Sequence, residues 1–98
     1  MDDINNILNT IKKTALNDLF SGDFDSAIDE LKRAEMLDRE NPEILFNLGI
    51  VYCRKGLYKT SCDYFQQVLQ LKASFIDSAL VKKNIAFCLI QIEIYDDA

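Results

Sequence analysis

From Asp25 to Leu37 the apolar residues Ala27, Ile28, Leu31, Ala34 and Leu37 recur at steps of three and four. That spacing places them on one face of an α-helix. Punctuation along the rest of the chain predicts four more helices. The first runs roughly from Asp3 to Phe20, with an acidic start that suits the helix dipole. Gly22 ends it, and Asp23 or Asp25 caps the second. Asn41 caps the third, Pro42 sits in its first turn, and Gly56 stops it just after Lys55. A fourth spans about Lys59 to Lys72, and a fifth begins at Phe75 or Asp77 and runs to Ile94. No segment alternates strictly enough to be a strand. The pattern therefore predicts an all-α chain of about five antiparallel helices with short connections.

The helices also repeat. Gly22 and Gly56 are 34 residues apart. At that offset Phe24 meets Tyr58, Ala27 meets Ser61, Leu31 meets Phe65, Ala34 meets Val68 and Leu37 meets Leu71. A third, partial copy appears at an offset of 37, where Asn47-Leu48-Gly49 meets Asn84-Ile85-Ala86 and Tyr58 meets Tyr95. A fixed period of this length marks stacked helix hairpins, each of which covers its neighbour.

Leu45, Leu48-Gly49, Tyr52, Gly56-x-Tyr58 and Ser61-x-x-x-Phe65 resemble the tetratricopeptide repeat (TPR) in spacing throughout. Gly49 and the small residues Ala27 and Ser61 let paired helices approach closely. The resemblance implies an α-solenoid, a stack of hairpins in a right-handed superhelix forming a single TPR domain over residues 1–98. Repeat 1 covers about 8–41, repeat 2 about 42–75, and a partial repeat 3 about 79–98. Repeat 2 matches best. The first helix of repeat 1 has Ala15, Leu16, Leu19 and Phe20 where the motif places Leu-Gly and Tyr, and reads as one residue short before Gly22. Repeat 3 follows a three-residue insertion near Ala73 to Ile76 and lacks the motif proline.

Composition narrows the function. A net charge of −5 disfavours nucleic acid and acidic membrane surfaces. His is absent, so a Cys nucleophile would lack its usual base, and Cys53, Cys62 and Cys88 form no metal-binding pattern. The reading is of a non-enzyme with no catalytic residues, no metal and no cofactor. The odd number of cysteines, set in apolar runs, suits a reducing cytosol. The chain starts without the basic, apolar pattern of a signal peptide, and its longest apolar run is too short to span a bilayer. A cytoplasmic protein without a membrane partner is expected.

In TPR stacks the first helix of each hairpin lines a concave groove. The resemblance, allowing for the short turn, implies groove residues Lys13, Asn17 and Phe20 in repeat 1. It implies Phe46, Asn47, Ile50 and Arg54 in repeat 2, and Lys83, Asn84 and Phe87 in repeat 3. The partner would be another protein or a peptide, held by apolar anchors and by amide and basic groups. Lys13, Asn17 and Asn47 resemble part of a clamp for a peptide's terminal carboxylate, as in co-chaperone-like members. Leu80 and Asn84 stand where that clamp has Lys and Arg, which counts against it.

The last helix is apolar nearly all round, whereas a terminal helix needs a polar outer face. Either further repeats cover it or two copies cover each other, through Leu89 and Ile92, as a homodimer or larger oligomer. The leading expectation is a protein–protein interaction scaffold, a cytosolic adaptor. Its rivals are a self-assembly unit and a regulatory fragment of a larger TPR protein.

Overall fold

The computed structural model describes residues 2–74 and 76–95. Its helices are α1 (Asp2–Ser21), α2 (Phe24–Leu37), α3 (Pro42–Lys55), α4 (Tyr58–Leu71) and α5 (Ser78–Tyr95). There is no strand among the described residues. Consecutive helices pack on one another in chain order, giving an elongated slab of 48 × 30 × 19 Å. The five helices lie within three residues of their expected bounds. Phe75, the earlier of the two starts expected for the last helix, and residues 96–98 of the partial third repeat lie outside the described residues.

The turns explain why the period is 34. Gly22 and Gly56 adopt left-handed φ values of 83° and 90°, which a side chain would strain. Their amides donate to the Leu19 and Cys53 carbonyls at 3.1 and 3.0 Å. The next amides, of Asp23 and Leu57, donate to Asp18 and Tyr52 at 2.8 and 2.9 Å. Both turns are therefore the same motif on equivalent residues. The first helix is not one residue short, as its sequence suggested; the offset of 34 runs straight through it.

Start signals are equally local. The Asn41 side chain accepts from the Glu43 and Ile44 amides at 3.0 and 3.2 Å, and Pro42 occupies a first-turn site where no N–H is needed. Asp23 accepts from Ser26 N and Asp77 from Ala79 N. The longer connection before α5 leaves α4 through Lys72, whose φ of 53° makes it a left-handed cap without glycine.

The core lies between helix pairs. Phe65, Leu48, Ala27, Ala34 and Ile44 are fully buried. Phe65 lies directly against Gly49, and the Ser61 hydroxyl, also buried, donates to the Gly49 carbonyl at 2.6 Å. In repeat 1 the corresponding places are filled by Ala15, Leu31 and Ala27, all buried. The fifth helix buries Val81 and Cys88, which correspond at an offset of 37 to the buried Ile44 and Val51. Its opposite face is different. Leu45 and Leu48 are buried, but their counterparts Lys82 and Ile85 are exposed and half-buried, and Leu89 is 52% exposed.

Candidate functional site

The first helices of the hairpins, α1 and α3, face each other across a cleft of about 190 Å³. Its walls are Ala15, Leu16 and Leu19 from α1, and Phe46, Asn47, Ile50 and Val51 from α3, with Leu31 of α2 behind. Leu16 and Ile50 are repeat equivalents, as are Leu19 and Cys53. The Phe46 ring is fixed by a tilted contact with Phe65 at 5.6 Å between centroids. Beside the cleft, Lys12 Nζ and Glu43 Oε2 meet at 3.1 Å and tie α1 to α3. The surface is therefore an apolar trough carrying one amide.

Phe46, Asn47 and Ile50, expected in the groove, line this cleft. Lys13, Asn17 and Phe20 do not. With no shift at the Gly22 turn, Leu16 rather than Asn17 answers to Ile50. The Asn17 side chain is exposed, as is Lys13, and Phe20 is 79% exposed beyond the cleft. Arg54 is likewise exposed outside its wall. Of the clamp-like set Lys13, Asn17 and Asn47, the asparagine at 47 lines the cleft. Leu16, Leu19 and Lys12 were missed, although the 34-residue period alone, applied without adjustment, finds them.

The expected third-repeat residues also lie outside the cleft. The Asn84 amide donates to the Leu80 carbonyl of its own helix at 3.1 Å. The Phe87 ring meets Tyr58 edge-on at 6.2 Å, and Lys83 is exposed. Cys88 Sγ approaches Cys53 Sγ to 3.9 Å and Ser61 Oγ to 3.4 Å, joining α5 to α3 and α4 at a small thiol–hydroxyl cluster. Burial, reinforced by the Cys88 thiol, pushes the Cys53 thiol up to about 11, so it stays protonated and weakly nucleophilic at neutral pH.

A larger hollow, about 340 Å³, opens between the Gly56 turn and the end of α5, and Ile92 lines it with Leu57, Tyr58 and Tyr95. Ile92 therefore turns towards α4 and does not share Leu89's exposed face. Among the described residues no group of three or more His, Cys, Asp or Glu side chains is placed to hold a metal. No helix among them is long and apolar enough to cross a membrane.

Antiparallel helices joined by two identical glycine turns define a helical-repeat protein. Residues 21–56, from the end of α1 through the second turn, match the family model described as a TPR repeat. TPR repeats generally serve as protein–protein interaction modules rather than as enzymes. No curated protein matches the sequence.

Proposed function

We propose that the chain is an adaptor-like scaffold that holds a peptide or a helix of another protein in the cleft between α1 and α3. The observation that carries this reading is the trough itself. Leu16, Leu19, Phe46 and Ile50 present apolar surface at one place, with the Asn47 amide among them. A cleft of about 190 Å³ is smaller than the roughly 300–1,000 Å³ of small-molecule sites. It suits one or two apolar side chains of a polypeptide, while Asn47 hydrogen-bonds the ligand backbone. The odd number of cysteines, Cys53, Cys62 and Cys88, fits a reducing compartment such as the cytosol.

The test is a peptide selected by display against the folded protein, followed by titration with the variants. Ile50→Glu or Leu16→Glu places a charge in the trough and should weaken binding at least tenfold with the helical content kept. Phe87→Ala, outside the trough, should leave affinity unchanged. Selected peptides that bind both Glu variants as tightly as the parent would overturn the reading.

A further inference from the structure

We infer that the exposed seam of α5 is a docking surface for a second copy of this chain, packed antiparallel against it. The seam is formed by Lys82, Ala86, Leu89 and Glu93, all exposed. Their spacing of four, three and four places them in one stripe along the helix, the pattern of a two-helix seam. Ile85 and Ile90 flank the stripe on either side, and Ile90 is 55% exposed. Singly exposed apolar residues need no explanation, but Ala86, Leu89 and Ile90 form an apolar centre bounded by a lysine at one end and a glutamate at the other.

The seam is complementary to its own reverse. A two-fold axis between residues 87 and 88 sets each Ala86 beside the other copy's Leu89, small against large. It also sets each Lys82 beside the other copy's Glu93, cation against anion. Such an interface is isologous, every contact occurring twice. A parallel pairing would oppose Lys82 to Lys82 and Glu93 to Glu93, and like charges directly opposed are unfavourable.

The same residues fit a following repeat helix poorly. Lys82 stands where Leu45 is buried, so a following helix that covered this position as its repeat equivalent is covered would bury its charge. Glu93 stands where Gly56 makes the turn with φ of 90°, yet α5 continues helical through it to Tyr95. Glu93 is thus kept on the helix surface, in reach of a partner's lysine.

One helix pair makes a small interface, at the weak end of specific contacts, so the dimer should dissociate in the micromolar range or above. The measurement is sedimentation equilibrium of the whole chain over a wide concentration range at low salt. The unmodified chain should show reversible dimerisation. Leu89→Glu should abolish it without loss of helical signal, because Leu89 is half exposed. Lys82→Glu and Glu93→Lys should each weaken it about tenfold. The double variant should dimerise again, and a mixture of the two single variants should form the heterodimer. A chain that stays monomeric at millimolar concentration would overturn the inference. So would single reversals that leave the dimer intact, or a double variant that is not restored. None of these variants touches the trough between α1 and α3, so peptide binding there is judged separately.

Discussion

Phe65 lies close against Gly49, and a methyl group built on Gly49 would stand 2.6 Å from Phe65 Cε1. Phe65 is fully buried, so its ring has nowhere to retreat. Gly49→Ala should therefore destabilise the fold, although alanine is the better helix former. Overpacking costs about 1–3 kcal/mol, and the helical gain offsets up to ~1. Repeat 1 shows the alternative solution. There Ala15 takes the place of Gly49 and Leu31 the place of Phe65, and both are buried side by side at one cleft. Combining Gly49→Ala with Phe65→Leu should thus cost less than the sum of the two single changes. Thermal melts of the four proteins measure the coupling, and strict additivity would sink the idea.

Ser61 offers a second comparison within the chain. Its hydroxyl donates to the Gly49 carbonyl and accepts from the Cys88 thiol, while Ala27 fills the equivalent place with no polar group at all. Ser61→Ala removes a hydrogen bond worth about 0.5–1.5 kcal/mol net, and leaves the Cys88 thiol, a weak donor, with Cys53 Sγ at 3.9 Å as its acceptor. A loss of no more than about 1.5 kcal/mol in chemical denaturation is expected. Ser61→Leu should be far worse, because the helix crossing has no room. Equal losses for the two would show that volume does not matter at this crossing.

These pairings also explain what could and could not be read from the sequence. The helices were legible because their signals are local: Asn41 and Pro42 at a start, Gly22 and Gly56 at the stops, and apolar spacing between. The register of α1 was misread because Thr14-Ala15 replaces Leu48-Gly49. The reason Ala15 is accepted, a leucine instead of a phenylalanine opposite, lies on another helix. The trough residues Leu16 and Leu19 were lost with that register. On α5, the apolar residues run all round, so periodicity could not tell which face meets α4. Packing decides that Ile92 turns inward and that Leu89 stays out.

The repeat also points to a stabilising change. Asp23 and Leu57 occupy equivalent cap positions with nearly the same backbone, φ −87° and ψ 74° against φ −93° and ψ 72°. The Asp23 carboxylate accepts from the Ser26 amide, whereas Leu57 offers no side-chain acceptor to α4. Leu57→Asp should place a carboxylate within reach of the Thr60 amide and at the positive end of the helix. A cap is worth roughly 0.5–2 kcal/mol, less the apolar contact of a leucine already 45% exposed. A melting temperature raised by a few degrees is the expected result. A lowered one would mean that Leu57's packing in the hollow beside Ile92 outweighs the cap.

Finally, the thiol cluster should make stability fall at alkaline pH. Cys53 in the folded chain holds its proton to about 11, because burial and the neighbouring Cys88 thiol penalise the thiolate. In the unfolded chain the same group ionises near 9.0. The folded state therefore binds the proton more tightly, and this contribution is complete below pH 9 and lost as pH rises through 11. Burial also pushes the Tyr64 hydroxyl up, which adds a loss of the same sign. The denaturation midpoint should be nearly level from pH 7 to 8 and then decline between 9 and 11. Cys53→Ala, whatever it costs at neutral pH, should decline less steeply over that interval, with the remaining slope left to other groups that the fold holds protonated, Tyr64, Cys62 and Lys32 among them. Parallel curves for the two proteins would show that Cys53 ionises alike in the folded and unfolded chains.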